Sequence, residues 1–349
     1  MRWEGSGRWV EEKLMRRDDT IRLIASGALN VDYLHRVPQI VTDGETRVIS
    51  VYREPGGSAA NTAYALSKWG VMCAFVGCIG DDEDGKLLLS SFKEVGMHTQ
   101  WVKAKAGART GRVIGFVDNS GKRALYVLAG ANELIGKDDF PKQIPQSVEW
   151  VHCTSLVGDA PMRHQLGWVT GLPSRVKFSF APGAIYASLG FDALKGFLER
   201  ATITFLSRDE LASLTGESDM YESLRMLHSV GVSIVAVTMG SEGSILSYTK
   251  NAIAAHGIKP LNLRHQRVQE ENKHSLLYEE ALKANVVDTT GAGDAFAAGM
   301  LLGLIRGLPL DVCHKLACCA ASICIEGFGA RAAIPSLEML IERYKEAYG

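Results

Sequence analysis

The chain has no surplus of either charge: Lys and Arg number 38, Asp and Glu 39. Proteins that hold nucleic acid by its phosphates carry a basic excess or a basic stripe, so a polyanionic partner is not expected. Long apolar runs are also missing. The longest, Ala295–Ile305 and Leu316–Ile325, are too short to span a bilayer and read as buried helices. Met1–Thr20 is charged and lacks the apolar core of a secretory leader, so the expected location is cytoplasmic, away from any membrane. The seven cysteines (Cys73, Cys78, Cys153, Cys313, Cys318, Cys319, Cys324) contain no C-x-x-C pair, and their odd number suits a reducing compartment. Four lie in one C-terminal apolar stretch, where free cysteines behave as small buried hydrophobes. The nine histidines show no H-E-x-x-H spacing.

Two nucleotide signatures are absent as well. No G-x-x-x-x-G-K-[ST] occurs: Gly85-Lys86, Gly121-Lys122 and Gly136-Lys137 are followed by Leu, Arg and Asp. No G-x-G-x-x-G is complete, because Gly291-Ala292-Gly293 and Gly327-Phe328-Gly329 both lack the third glycine. These absences argue against P-loop nucleotidases and simple dinucleotide-binding dehydrogenases.

What is present is alternation. Strand-like runs at 22–30, 73–80, 148–155, 175–181, 201–206 and 233–238 are separated by helical stretches such as 58–69 and 85–95. That order predicts an α/β fold, a mostly parallel central sheet with helices on both faces. Two places break the pattern. Arg47–Arg53 is a short strand-like run, and Gly111–Asp118 with Arg123–Leu128 flanks the turn signal Asn119-Ser120-Gly121 and reads as a hairpin. Together they predict a small β-sheet lid, from about 33–56 and 110–131, over the carboxyl ends of the main strands, where open α/β sheets bind ligands. Residues 1–20 read as an N-terminal extension to a domain at 21–345, with Trp9–Arg17 able to form a short amphipathic helix that docks on a partner or on the chain's own body. The polar segment Arg264–Glu280 lacks strand logic and is expected to be an exposed loop or surface helix, more an inert insertion than a flank of a nucleotide pocket.

The residues that carry chemistry lie at Asp288–Phe296, DTTGAGDAF. Gly291, Ala292 and Gly293 let the backbone turn tightly and present N–H groups at a helix N-terminus, an arrangement suited to a phosphoryl group. Asp294 falls in the first helical turn, where a carboxylate could take a proton from an attacking hydroxyl. The same string is also compatible with a purely structural glycine turn.

The whole string resembles the C-terminal signature of the PfkB carbohydrate kinases, the ribokinase-like family, and further motifs recur in the family's order. Gly27-Ala28-Leu29-Asn30-Val31-Asp32 resembles the first strand, and Gly56-Gly57-Ser58-Ala59-Ala60-Asn61 the double-glycine signature. Gly80-Asp81-Asp82 with Gly85 resembles the G-x-D-x-x-G that follows the next strand, and Ala129-Gly130-Ala131-Asn132, after the hairpin, looks like the end of the lid strands. Thr238-Met239-Gly240 with Gly243 resembles the nucleotide-binding turn. The resemblance covers about residues 21–340. It implies an ATP- and Mg²⁺-dependent kinase acting on a hydroxyl of a small sugar, with Asp294 as base and Gly291, Ala292 and Gly293 beside the transferred phosphoryl. It places substrate on Asn30, Asp32, Gly56, Gly57 and Asn61, and nucleotide near Thr238, Gly240, Gly243, Asp288, Thr289 and Gly329. Glu210, in the place of the Glu of the family's N-x-x-E, would organise the metal through water, with Ser207 replacing the Asn. Many members bind a monovalent cation near the segments matching Asp288–Thr290 and Gly327–Arg331, which implies a K⁺ requirement. Lid strands often pair between subunits, which implies a homodimer. True ribokinases resemble one another in a Lys after the double glycine, where this chain has Ser58. GGSAAN is also similar to the version in some nucleoside kinases, whose base would need an apolar surface such as Phe116, Tyr126 or Tyr33. A non-catalytic sugar- or nucleotide-binding relative is the alternative of a different class.

Overall fold

The computed structural model describes residues 6–119, 123–259, 268–271 and 274–349. Its strands are β1 (Leu23–Ser26), β2 (Asn30–Arg36), β3 (Ser50–Gly56), β4 (Cys73–Gly80), β5 (His98–Lys105), β6 (Gly111–Val117), β7 (Arg123–Leu128), β8 (Trp150–Thr154), β9 (Lys177–Ala181), β10 (Ile203–Ser207), β11 (Ile234–Thr238), β12 (Ser244–Tyr248), β13 (Val268–Glu271) and β14 (His274–Glu279). Ten of them form one sheet in the order β13-β14-β12-β11-β10-β9-β8-β1-β4-β5. The run from β11 to β5 is parallel, and β12, β14 and β13 extend one edge in antiparallel fashion.

The helices are α1 (Ser6–Leu14), α2 (Ser58–Lys68), α3 (Glu83–Glu94), α4 (Asp159–Thr170), α5 (Gly183–Ala187), α6 (Phe191–Arg200), α7 (Arg208–Thr215), α8 (Met220–Ser229), α9 (Lys250–Ala255), α10 (Ala292–Ile305), α11 (Leu310–Cys324) and α12 (Leu337–Tyr348). They cover both faces of the sheet. In β1, Leu23 and Ala25 point into a core shared with α2, α10 and α11, while Ile24 points into a second core with α4 and α6. This period of two, apolar on both faces, is what a sheet buried on both sides requires.

The predicted strand at 22–30 divides in two. β1 stops at Ser26 and the chain leaves the main sheet, so that Asn30 opens β2 in a separate four-stranded sheet of order β3-β2-β6-β7. This is the expected lid, with β6 and β7 antiparallel. The turn residues Ser120 and Gly121 lie outside the described residues.

The segment Arg264–Glu280 departs from expectation. Its described part is a hairpin of the main sheet: β14 pairs with β12, and Leu276 and Leu277 are both buried. Polar flanks mask a short apolar run whose two faces are each covered. Residues 264–267 and 272–273 of the segment lie outside the described residues.

The N-terminal helix docks on the chain's own body. Val10 and Leu14 of α1 enter the core, and Lys13 Nζ donates to the Arg306 carbonyl, 2.9 Å away, at the end of α10. Asp18 pairs with Arg306 at 2.8 Å, and both side chains are almost fully buried. Arg306 also donates to the Arg16 carbonyl at 2.6 Å. Asp18→Ala therefore leaves a guanidinium buried without its counter-ion, which costs roughly 3–5 kcal/mol. A Tm about 4–7 °C below wild type is expected in a thermal melt; an unchanged Tm would show that the pair adds nothing.

Candidate active site

Asn30, Ser207 and Thr238 follow or end the strands β1, β10 and β11, so the fold gathers them at the carboxyl edge of the sheet. α10 points its N-terminus at the same edge. The loop before α10 is held by Asp288, whose Oδ1 accepts from the Thr290 N–H at 2.9 Å and the Thr290 hydroxyl at 2.8 Å. Its Oδ2 accepts from the Gly329 N–H at 3.0 Å, which staples this loop to the late loop 327–331. Gly291 has φ +81°, and a Cβ there would run into Ala330; only glycine reaches this turn without strain.

Asp294 sits one turn into the packed corner between α10 and α2. Ser58 Oγ donates to its Oδ1 at 2.5 Å and Asn61 Nδ2 to its Oδ2 at 2.8 Å. The Thr62 hydroxyl donates to its backbone carbonyl at 3.3 Å. Burial pushes the carboxyl up to about 6, the Ser58 and Asn61 hydrogen bonds and the Arg331 charge pull it down, and Glu210 pushes it up again. A base poised near neutrality is what proton abstraction from an alcohol calls for. Ser58, which in the sequence only marked a departure from true ribokinases, touches the Asp294 carboxylate directly.

The predicted substrate residues converge on the same corner. Burial pushes the Asp32 carboxyl up to about 7; Arg331 holds it down, and Asp294 and Glu54 raise it further. Asp32 Oδ1 is buried and makes no hydrogen bond among the described residues, an acceptor suited to a ligand hydroxyl. Asn30 Oδ1 accepts from Asn132 Nδ2 at 3.0 Å, and Asn132 is itself clamped to both backbone groups of Leu29. Gly57 caps α2, and the Gly56 carbonyl accepts from Arg331 at 2.9 Å. Arg331 is the central residue that motif reading missed. Its only sequence signal is a lone cation in an otherwise small and apolar stretch, Gly329 to Ile334.

The G-x-D-x-x-G motif serves the lid. Asp82 caps α3 and accepts from the Thr110 hydroxyl at 2.5 Å and its N–H at 3.0 Å, just before β6. Buried Asp84 accepts from Tyr33 at 2.8 Å, Arg53 at 2.5 Å and Arg112 at 2.6 Å, so three lid strands share one anchor on α3.

Strand register overturns the aromatic candidates for a base-binding surface. Glu54, Asp32, Val113 and Val127 form one row across the lid, and Tyr52, Leu34, Gly115 and Leu125 the next. Tyr33, Phe116 and Tyr126 alternate onto the opposite face, away from Asp32. The face overlooking the site carries aliphatic side chains beside the carboxylates.

An open cleft of about 600 Å³ lies alongside. Thr238, Gly240, Gly243, Thr289, Ala292 and Gly293 line it, joined by Leu282, Val286, Phe296, Ala321 and Ile325. Glu280, the last residue of the polar segment, and Ala281–Ala284 after it form part of the wall, so the segment ends at this cleft. The cleft suits a flat heterocycle at its apolar side and phosphates at the α10 N-terminus, where space above Gly293 is open. Asp288 and Gly329 do not line it; they hold each other. Glu210 closes a capping box with Ser207, its Oε2 accepting from the Ser207 N–H at 2.8 Å. Ser207 thus fills the Asn position as a helix cap. All seven cysteines are free and buried.

Known proteins resemble this chain in sequence and in fold. A relative described as an uncharacterized sugar kinase, from Archaeoglobus fulgidus, is 32% identical over 273 residues, 77% of this chain and 98% of its own. The crystal structure of the Methanocaldococcus jannaschii nucleoside kinase superposes with a TM-score of 0.75 at 22% identity, covering 94% of this chain and 100% of that one. Arabidopsis thaliana ribokinase complexed with ribose and ATP gives a TM-score of 0.73 at 23% identity, over 93% and 99%. The fold is that of the ribokinases. Residues 21–337 match the pfkB family carbohydrate kinases. On that match, the chain belongs to that family and is a kinase that phosphorylates a hydroxyl group.

Proposed function

We propose that this kinase transfers the γ-phosphoryl group of ATP to a hydroxyl of a small sugar, with Asp294 as general base. One observation carries the reading: a carboxylate at the N-terminus of α10, held by Ser58 and Asn61 and raised toward neutrality, sits between the open cleft and the orphaned acceptor of Asp32. Asn30, Asp32, Gly57 and Asn61 hold the sugar. Asp294 removes the proton as the hydroxyl attacks, and the N–H groups of Gly291–Gly293 stabilise charge on the moving phosphoryl. Lid closure excludes water that would otherwise compete for the phosphoryl. Glu210 has one carboxylate oxygen outside its capping box and would hold Mg²⁺ through water, the metal neutralising phosphate charge. We extend the proposal to a K⁺ requirement, checked by replacing K⁺ with a larger organic cation, and to a cytoplasmic setting, in keeping with seven free cysteines.

ADP release from Mg-ATP with K⁺, measured over a panel of sugars and nucleosides, tests the proposal. Turnover on sugars alone supports it. Turnover confined to nucleosides supports the second reading, favoured by the aliphatic inner lid face at Val113, Leu125 and Val127, which suits a base better than a second set of hydroxyls. Ligand-induced stabilisation without turnover would indicate a binding protein.

Val51, Tyr126 and Leu128 expose apolar surface on the outer lid face, Tyr126 at 62%. We propose that a second copy covers it. Sedimentation is expected to show a dimer, and Tyr126→Glu a monomer.

A further inference from the structure

We propose that Arg331 is a positioning residue for phosphoryl transfer: it locks the Asn61 amide toward Asp294 and ties that alignment to the root of the lid at Gly56. The late loop sends its side chain inward between α2 and α3, where it is 5% exposed. The guanidinium lies 5.6 Å from the Tyr64 ring and 5.1 Å from the Phe92 ring. Its Nε donates to Asn61 Oδ1 at 3.0 Å, one terminal nitrogen to Ser91 Oγ at 2.6 Å, and the other to the Gly56 carbonyl at 2.9 Å. The planar fork thus joins α2, α3 and the end of β3 in a single geometry.

The Asn61 amide is where this acts on the chemistry. An amide has one acceptor end and one donor end. Arg331 demands an acceptor, so Oδ1 must face it, and Nδ2 must then face Asp294. The flipped amide would set donor against donor at Arg331 and carbonyl against carboxylate at Asp294. Arg331 therefore fixes which group Asn61 presents to the base without touching substrate itself.

Its charge matters too. Asp32 from β2, Asp294 from α10 and Glu94 from α3 surround it, and burial lowers its own pKa only to about 10, so it stays a cation. Facing Asp294 are Arg331, the carboxylates of Asp32 and Glu210, and the Cys324 thiol, which burial raises to about 12 and keeps neutral. Arg331 is the one cation in that set.

The inference rests on the kinase reading, and wild-type turnover is its control. Steady-state kinetics of Arg331→Met and Arg331→Lys, from pH 5 to 9, test it. Arg331→Met is expected to lose about 100-fold in kcat, as for a misaligned catalytic group, with KM for ATP within threefold of wild type. The acid limb of its kcat profile moves up by about one pH unit, because a neighbouring cation no longer favours the carboxylate. Arg331→Lys restores the limb but recovers kcat only in part, since a point charge cannot hold three acceptors in one plane. If Arg331→Met fails to fold, Arg331→Lys decides alone, with kcat at least fivefold down expected. Variants that melt lower but keep kcat and the limb within twofold of wild type would overturn the proposal and leave Arg331 structural. Wild type without turnover would instead overturn the kinase reading.

Discussion

Asp294→Ala lowers kcat by roughly 10²- to 10⁴-fold, the contribution expected of a general base. KM for ATP changes little, because the cleft that takes the nucleotide is built from other residues. A coupled ADP assay measures this, and a variant keeping a tenth of wild-type turnover would remove Asp294 from the role. Wild-type kcat should rise with pH through about 6, where the Asp294 carboxyl loses its proton. The loss cannot be blamed on unfolding if Asp294→Asn is run alongside. The Ser58 hydroxyl can rotate to accept from the new amide, while Asn61 still donates to its oxygen. Stability should then move the other way from activity. The folded chain holds the Asp294 proton more tightly than the unfolded one, since its pKa rises from 3.8 to about 6. Between those values the folded state binds more protons, so wild-type stability falls as pH rises. Asp294→Asn has no proton to lose, and its Tm relative to wild type should be higher at pH 7 than at pH 4.

Gly57→Ala is expected to damage fold and catalysis together. Gly57 has φ +98°, and a Cβ there would collide with the Ala28 backbone carbonyl. A carbonyl in the β1–β2 connection cannot swing aside as a side chain would. The left-handed conformation and the overpacking together cost at least about 3 kcal/mol, or a Tm drop of about 4 °C or more in a chain of this length. Position makes it worse. Gly57 caps α2, and Ser58, Asn61 and Thr62 on the next turn all reach Asp294. Relief of the clash must shift that turn, and a displacement of about 1 Å can cost 100-fold in kcat. The variant should show both a lower Tm and a kcat/KM depressed by about two orders of magnitude. A stable, fully active Gly57→Ala would show that the β1–β2 connection yields freely.

Much of this was legible along the chain. Strand–helix alternation declared the parallel sheet, because a sheet covered on both faces must be apolar at every position and must return through helices. The lid hairpin showed in its alternation around a turn, and the glycine loop with Asp294 showed because close backbone approach admits few residues. What failed were inferences about direction. Tyr33, Phe116 and Tyr126 have the right chemistry for a nucleobase, yet a period of two sends all three to the far face of the lid. The polar flanks of Leu276 and Leu277 hid an edge hairpin that exists only because β12 offers it unpaired hydrogen-bonding groups.

The sequence by itself determined the family and the fold class, and it singled out Asp294 as the carboxylate we propose as base, since these follow from motif spacing, hydrophobic period, close glycine turns and a carboxylate at a helix start. Only the tertiary structure decided what surrounds Asp294. Ser58 and Arg331 stand 236 and 37 residues from Asp294 in the chain, and no local pattern relates them to it. Their meeting depends on how α2, α10 and the late loop pack into one corner, where burial raises the carboxyl and hydrogen bonds of fixed direction orient it.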